Sequence, residues 1–217
     1  MLSVNAMSRR LENLDAERQR RLFDATAQEF AEHGYEGASL NRILTLSGMS
    51  KSSLYYYFDD KADLFTTMIE RALMALFREV GGLEAGALSA ETFWATFEDR
   101  YRKSIAVVER DAWLVRLGGL FYQLRGSPRA GASTDRLFLA ARQWVEEIVT
   151  RGQDLGVVRR DLPHSLLVDA SIALIETLDC WVVAHWEALS EAEKERLPAE
   201  HIGLFRRLLA PEGALRS

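Results

Sequence analysis

The sequence predicts an all-helical chain, and three observations carry that prediction. Strand-like alternation is nearly absent, apolar residues recur at the 3.6-residue spacing of amphipathic helices, and residues 1–127 contain no proline. Turn residues then divide the chain into a small N-terminal bundle of three helices and a larger helical bundle behind it.

A first helix is expected after Asp15, with Phe23, Ala27, Phe30 and Ala31 on its buried face and Gly34 as its end. Ser39 suits the N-cap of a second helix carrying Leu40, Ile43 and Leu44 inward. Gly48 and Met49 make a tight turn, and Ser50 caps a third helix anchored by Leu54 and Phe58, four residues apart. Asp60 opens a fourth helix with Asp63 near its positive end, and Leu64, Phe65, Met68, Ile69, Ala72 and Leu76 form its apolar stripe. Gly81 and Gly82 mark the boundary that follows. Further helices are expected at about 89–109, 113–124, 135–153, 163–186 and 191–209, with Pro198 a candidate break in the last. RGSPRAGAST, residues 125–134, reads as a flexible loop. The organisation expected is an arm over 1–14, a first domain over 15–77 and a second over 78–217.

The 217 residues are 48% hydrophobic and 27% charged, enough apolar material for a sizeable core. A net charge of -5 excludes general polyanion binding, so any nucleic-acid footprint must be local. One cysteine, Cys180, excludes a disulfide framework and a cysteine-based zinc site. The N-terminus lacks the apolar run of a signal peptide, and no uncharged apolar stretch approaches about 18 residues. A cytoplasmic protein with no membrane partner is expected.

SLNRILTLSGMSKSSLYYYF, Ser39 to Phe58, is the stretch that carries chemistry. Two short helices about a glycine turn, packed on a longer one, make a helix-turn-helix, whose second helix enters the DNA major groove by its N-terminal end. Here that end is Ser50, Lys51, Ser52 and Ser53: small, hydroxylated and positive, suited to phosphate oxygens and base edges. With Leu54 and Phe58 inward, Tyr55 and Tyr56 fall on sides able to face DNA, while Tyr57 is open to packing on the first helix. Over residues 1–61 the charges nearly cancel, which predicts a modest salt dependence. Arg9, Arg10, Arg18, Arg20 and Arg21 either add DNA contacts or form a solvated helix start.

The stretch Gly34 to Phe65 resembles the signature of TetR-family transcriptional regulators. Gly34, Ser39, Gly48-Met49-Ser50, Leu54-Tyr55, Phe58, Lys61, Asp63 and Leu64 stand at the family's spacing. The resemblance covers about residues 15–77. It implies phosphate contacts from Ser39, Tyr55 and Lys61, base contacts from Lys51, Ser52 and Tyr56, either role for Ser53, and a phosphate or base within reach of Asn41 and Arg42. Many members carry glycine where this chain has Ser52, so the backbone here approaches DNA less closely or uses the hydroxyl.

The resemblance also implies that the second domain binds a small effector and dimerises through helices within 162–209, releasing a pseudo-palindromic double-stranded operator when the effector binds; repression is the family's usual mode. All five tryptophans lie beyond residue 93. Trp94, Phe97, Tyr101, Trp113, Phe121, Tyr122 and Trp144 either line an apolar effector cavity or pack as core. Glu176 and Asp179, three apart in an apolar run, meet a cationic ligand, pair with a partner's arginine, or sit at a solvated rim. Enzyme chemistry finds no support. The four histidines show no metal-ligand spacing, and neither a phosphate-binding glycine loop nor a Gly-x-Ser-x-Gly elbow occurs, so no cofactor, metal or catalytic residue is expected. Cys180, in an apolar segment, reads as inert or as a redox trigger.

Overall fold

The computed structural model describes residues 14–81, 83–110 and 131–215, with Leu114, Val115, Gly118, Gly119 and Tyr122 between them. Among these residues there are helices and no strands: α1 Ala16–Gly37, α2 Leu40–Ser47, α3 Lys51–Tyr57, α4 Lys61–Val80, α5 Phe93–Arg110, α6 Gly131–Asp154, α7 His164–His185 and α8 Glu191–Leu209. The chain divides into two compact units, Met1–Leu73 with Arg116–Leu137, and Met74–Val115 with Phe138–Ser217.

From α1 to α4 each helix start is set by a side chain the sequence supplies. Asp15 accepts the Arg18 amide at 3.0 Å, Ser39 caps α2 and Ser50 caps α3. At the head of α4, Asp60 Oδ1 accepts the Asp63 amide at 2.8 Å while Asp63 Oδ2 accepts the Asp59 amide at 3.0 Å, so orphan helix-start donors are satisfied reciprocally. Gly34, at φ 67°, interrupts α1 where the sequence placed its end. Gly48, also at φ 67°, closes α2 in the left-handed conformation that L side chains avoid.

The core of the first unit is aromatic. The Phe30 and Phe65 rings meet edge to face at 4.9 Å, and Tyr35 meets Phe65 at 5.6 Å. Leu54 and Phe58 are buried at 1% and 2% exposure, which fixes the rotation of α3. The register of α1 differs slightly from expectation. Leu22 is fully buried and Phe23 only partly, because the helix presents a wider face carrying Ala25, Thr26 and Glu29 as well.

In the second unit, Phe93, Val145, Ile148, Val149, Val158, Leu167, Val168 and Leu209 form one core, and Ile105, Val115, Val182, Trp186 and Leu197 another. Two expectations are corrected here. Pro198 lies within an unbroken α8, whose start carries a full Ser190–Glu193 capping box; one missing amide is tolerated when the remaining turns are packed. Helix α6 begins at Gly131, inside the stretch read as loop. The rest of that stretch, and most of the helix expected at 113–124, lies outside the described residues. No described helix is long and apolar enough to cross a membrane.

Candidate nucleic-acid interface

Helix α3 has only seven residues, and its orientation decides what it offers. Leu54 is its inward side chain, and Phe58 follows as its C-cap. Lys51 and Ser52 are exposed in consequence, and Tyr55 and Tyr56 are 48% and 60% exposed. Large aromatic rings held in water by the register of their own helix are costly to a monomer unless a partner uses them. Tyr57 packs on the core, with its ring edge to face with Tyr56 at 5.0 Å. At the mouth of the helix three hydroxyls form a chain. Ser50 Oγ accepts the Ser53 amide at 3.1 Å, donates to Ser53 Oγ at 2.9 Å and lies 3.1 Å from Ser52 Oγ. Ser50 is therefore occupied as a cap, while Ser52, beside exposed Lys51, faces solvent.

Helix α2 presents Asn41 exposed in its first turn. Arg42 does something the sequence did not announce. Its Nε donates to both Glu29 carboxylate oxygens, at 2.8 and 3.0 Å, and its second nitrogen reaches the Gly37 carbonyl at 2.8 Å. Glu29 is only 2% exposed and also accepts the Ser39 amide at 2.8 Å. The guanidinium holds its carboxyl below the ordinary value against the opposing effect of burial. Arg42, expected at a phosphate or base, is committed to a protein carboxylate. Lys61 is likewise engaged within the protein. Its ammonium donates to the carbonyls of Tyr35, Glu36 and Ala38 at 2.6, 3.3 and 3.3 Å, where the resemblance implied a phosphate contact. Ser39 keeps its hydroxyl at the start of α2, with a long 3.5 Å capping bond from the Arg42 amide.

The sequence profile described as "Bacterial regulatory proteins, tetR family" matches residues 22–68, the segment that builds this interface. The HTH-type transcriptional repressor AcnR of Corynebacterium glutamicum is 32% identical over 143 residues, 64% of this chain and 67% of the relative. The chain belongs to the tetR family. AcnR of Corynebacterium efficiens is 30% identical over 142 residues, with the same shares covered. Among solved structures, FadR of Bacillus subtilis in complex with stearoyl-CoA superposes with a TM-score of 0.66 at 16% identity, covering 86% of this chain and 97% of that one. This tetR-family protein is thus an all-helical transcriptional regulator, not an enzyme.

Of the residues expected at an effector site, Trp94, Phe97, Tyr101, Trp144 and Glu176 belong to the second unit and Tyr122 to the first. Trp94 and Phe97 pack against Phe93 at ring separations of 5.0 and 5.1 Å, and Phe97 meets Trp144 at 6.4 Å. Tyr101 belongs to the neighbouring core, Tyr122 and Glu176 are half-buried, and Trp113 and Phe121 lie outside the described residues. Two open surface depressions are formed by other residues, one by Ala85, Gly86, Glu146, Glu147, Thr150, Arg151 and Asp154, the other along α7 and α8.

Tyr101 makes a polar link absent from the sequence expectations. Its hydroxyl lies 2.8 Å from His201 Nδ1, with the two rings stacked at 5.4 Å. Burial, with the Asp179 charge added, pushes the phenol well above its ordinary range, so it stays protonated. Burial lowers His201 below 6.5, with Glu200 opposing. An unfolded chain therefore takes up this proton at higher pH than the folded one, and stability is lost as pH falls through about 6.5. Thermal unfolding is expected to show a melting temperature that drops from pH 7.5 to 5.5, and His201→Gln should flatten the drop; equal slopes would contradict this link. Cys180 is exposed, and desolvation with Glu176 and Asp179 pushes its thiol up, which suits the inert reading over the redox one.

Proposed function

We propose that this regulator represses transcription by binding a pseudo-palindromic operator as a homodimer and releases it when a small, largely apolar or aromatic effector binds the second domain. The observation that carries the reading is the bare polar and aromatic face of α3, where Lys51, Ser52, Tyr55 and Tyr56 stand exposed over a buried Leu54. Lys51, Ser52 and Tyr56 read bases, Tyr55 and Ser39 hold phosphates, and Ser53 and Asn41 assist at the rim. Arg42 and Lys61 support the head from behind. The arm over 1–14 precedes this DNA-binding domain of 15–77, and residues 78–217 carry the effector site and the dimer contacts in a cytoplasmic protein.

Helix α7 supports dimerisation. It turns Leu166, 50% exposed, and Trp181, 41% exposed, to solvent. Ala170, Ala173, Leu174 and Thr177 line an apolar depression together with Leu204 and Leu208 of α8. A second copy seated there sets two recognition helices about one DNA turn apart, roughly 34–36 Å. Helix α4 is the continuous element running from the DNA-binding head into the second domain, and Arg100 of α5 donates to the Val80 carbonyl at its far end. The effector acts by preferring the conformation in which α4 is shifted. A complete switch, from 1:99 to 99:1, requires about 5.5 kcal/mol of differential binding.

A compound screen read by tryptophan fluorescence tests this account, because every tryptophan lies in the second domain. A true effector quenches or shifts the emission and dissolves the operator complex in a gel shift at matching concentrations. Binding that leaves operator affinity unchanged refutes the coupling.

A further inference from the structure

We propose that Lys61 is a positioning residue for operator binding, a clasp that ties the first turn of α4 to the corner between α1 and α2. The inference rests on the operator-binding reading above and assigns this residue its work within it. An ammonium has three donors, and here three backbone carbonyls surround it, those of Tyr35, Glu36 and Ala38. The same ammonium lies 4.7 Å over the Tyr35 ring, which is itself wedged against Phe65 in the core. The corner arises because Gly34 takes an extended, positive-φ conformation (φ 67°, ψ 176°) open essentially to glycine alone and ends the regular turns of α1. It leads directly to Ser39, the cap of α2. From the other side Glu29 takes the Ser39 amide and Arg42 takes the Gly37 carbonyl. Side chains from α1, α2 and α4 therefore hold five consecutive residues, 35 to 39. The positive charge of Lys61 faces the protein, and a displacement of the first turn of α4 is carried to the N-terminus of α2 through it.

A clasp and a phosphate ligand make opposite predictions. Removing a phosphate ligand flattens the dependence of log K on log salt by about 0.9 per contact, whereas removing a clasp lowers affinity and leaves the slope in place. The experiment is a salt titration of operator binding by full-length wild type, Lys61→Met and Lys61→Arg, with hydrogen exchange of the free proteins. Lys61→Met should lose operator affinity on the order of tenfold at unchanged slope, and the Ala38 and Ser39 amides should exchange faster without DNA. Lys61→Arg, which keeps the charge but spreads it over a planar fork, should also lose affinity at unchanged slope, and it serves as the second variant should Lys61→Met fail to fold. A flatter slope with unchanged exchange, or full rescue by Lys61→Arg, overturns the clasp in favour of a phosphate contact. If the wild type itself selects no DNA sequence, the operator reading has failed before any variant is made.

Discussion

A glutamate placed at Ala173 is expected to convert the regulator into a monomer and to lower operator affinity on the order of a hundred- to ten-thousandfold. Ala173 is exposed in the single chain and lines the apolar depression between α7 and α8. The substitution therefore disturbs little in the monomer, and its melting behaviour should stay close to that of the isolated wild-type fold. In a dimer the same carboxylate is buried on both sides of a two-fold contact, facing its own copy without a counter-charge, which is unfavourable at any reasonable separation. The operator effect is large because a dimer delivers its second recognition helix at high effective concentration once the first is seated. A monomer loses that advantage while each head keeps its own contacts. Sedimentation should report the dissociation and a gel shift the loss; a dimer of undiminished affinity would place the interface elsewhere.

The second large effect concerns Lys51. Replacing it by alanine should cost roughly 1–3 kcal/mol per head against the preferred operator while binding to random DNA changes far less. The reason lies in the rotation of α3. Leu54 and Phe58 face the core, and that leaves Lys51 exposed at the start of the helix with Ser52 beside it. Tyr55→Phe should behave differently, weakening all sequences alike, because a phenol donating to phosphate carries no base information. Competition titrations with specific and random duplexes separate the two. Equal losses on both kinds of DNA for Lys51→Ala would remove it from the base-reading set.

The sequence revealed what is local. Ser39, Ser50 and Asp60 announce helix starts because a cap satisfies amides within three residues, and Gly34 and Gly48 announce ends because only glycine adopts those dihedrals cheaply. Spacing alone set the rotation of α3, and with it the exposure of Tyr55 and Tyr56. What escaped depends on distant partners. Glu29 looked like one more charged helix residue, and nothing near it foretells Arg42 thirteen positions on, although opposite charges flanking the α1–α2 corner are the signal that was present. Lys61 lies 26 residues from Tyr35, and Tyr101 lies 100 from His201. The second unit was legible as helices but not as a cavity, because an aromatic at helical spacing looks alike in a pocket and in a core. Trp94 and Phe97, both packed on Phe93, illustrate this.

The most direct measurement is selection of bound fragments from random duplex DNA by the full-length wild-type protein, sequenced and aligned. If Lys51, Ser52 and Tyr56 enter the major groove in pairs, the enriched sequences contain an inverted repeat whose half-sites are centred about one helical turn apart. Enrichment of no sequence, or of one unrepeated element, would contradict the account.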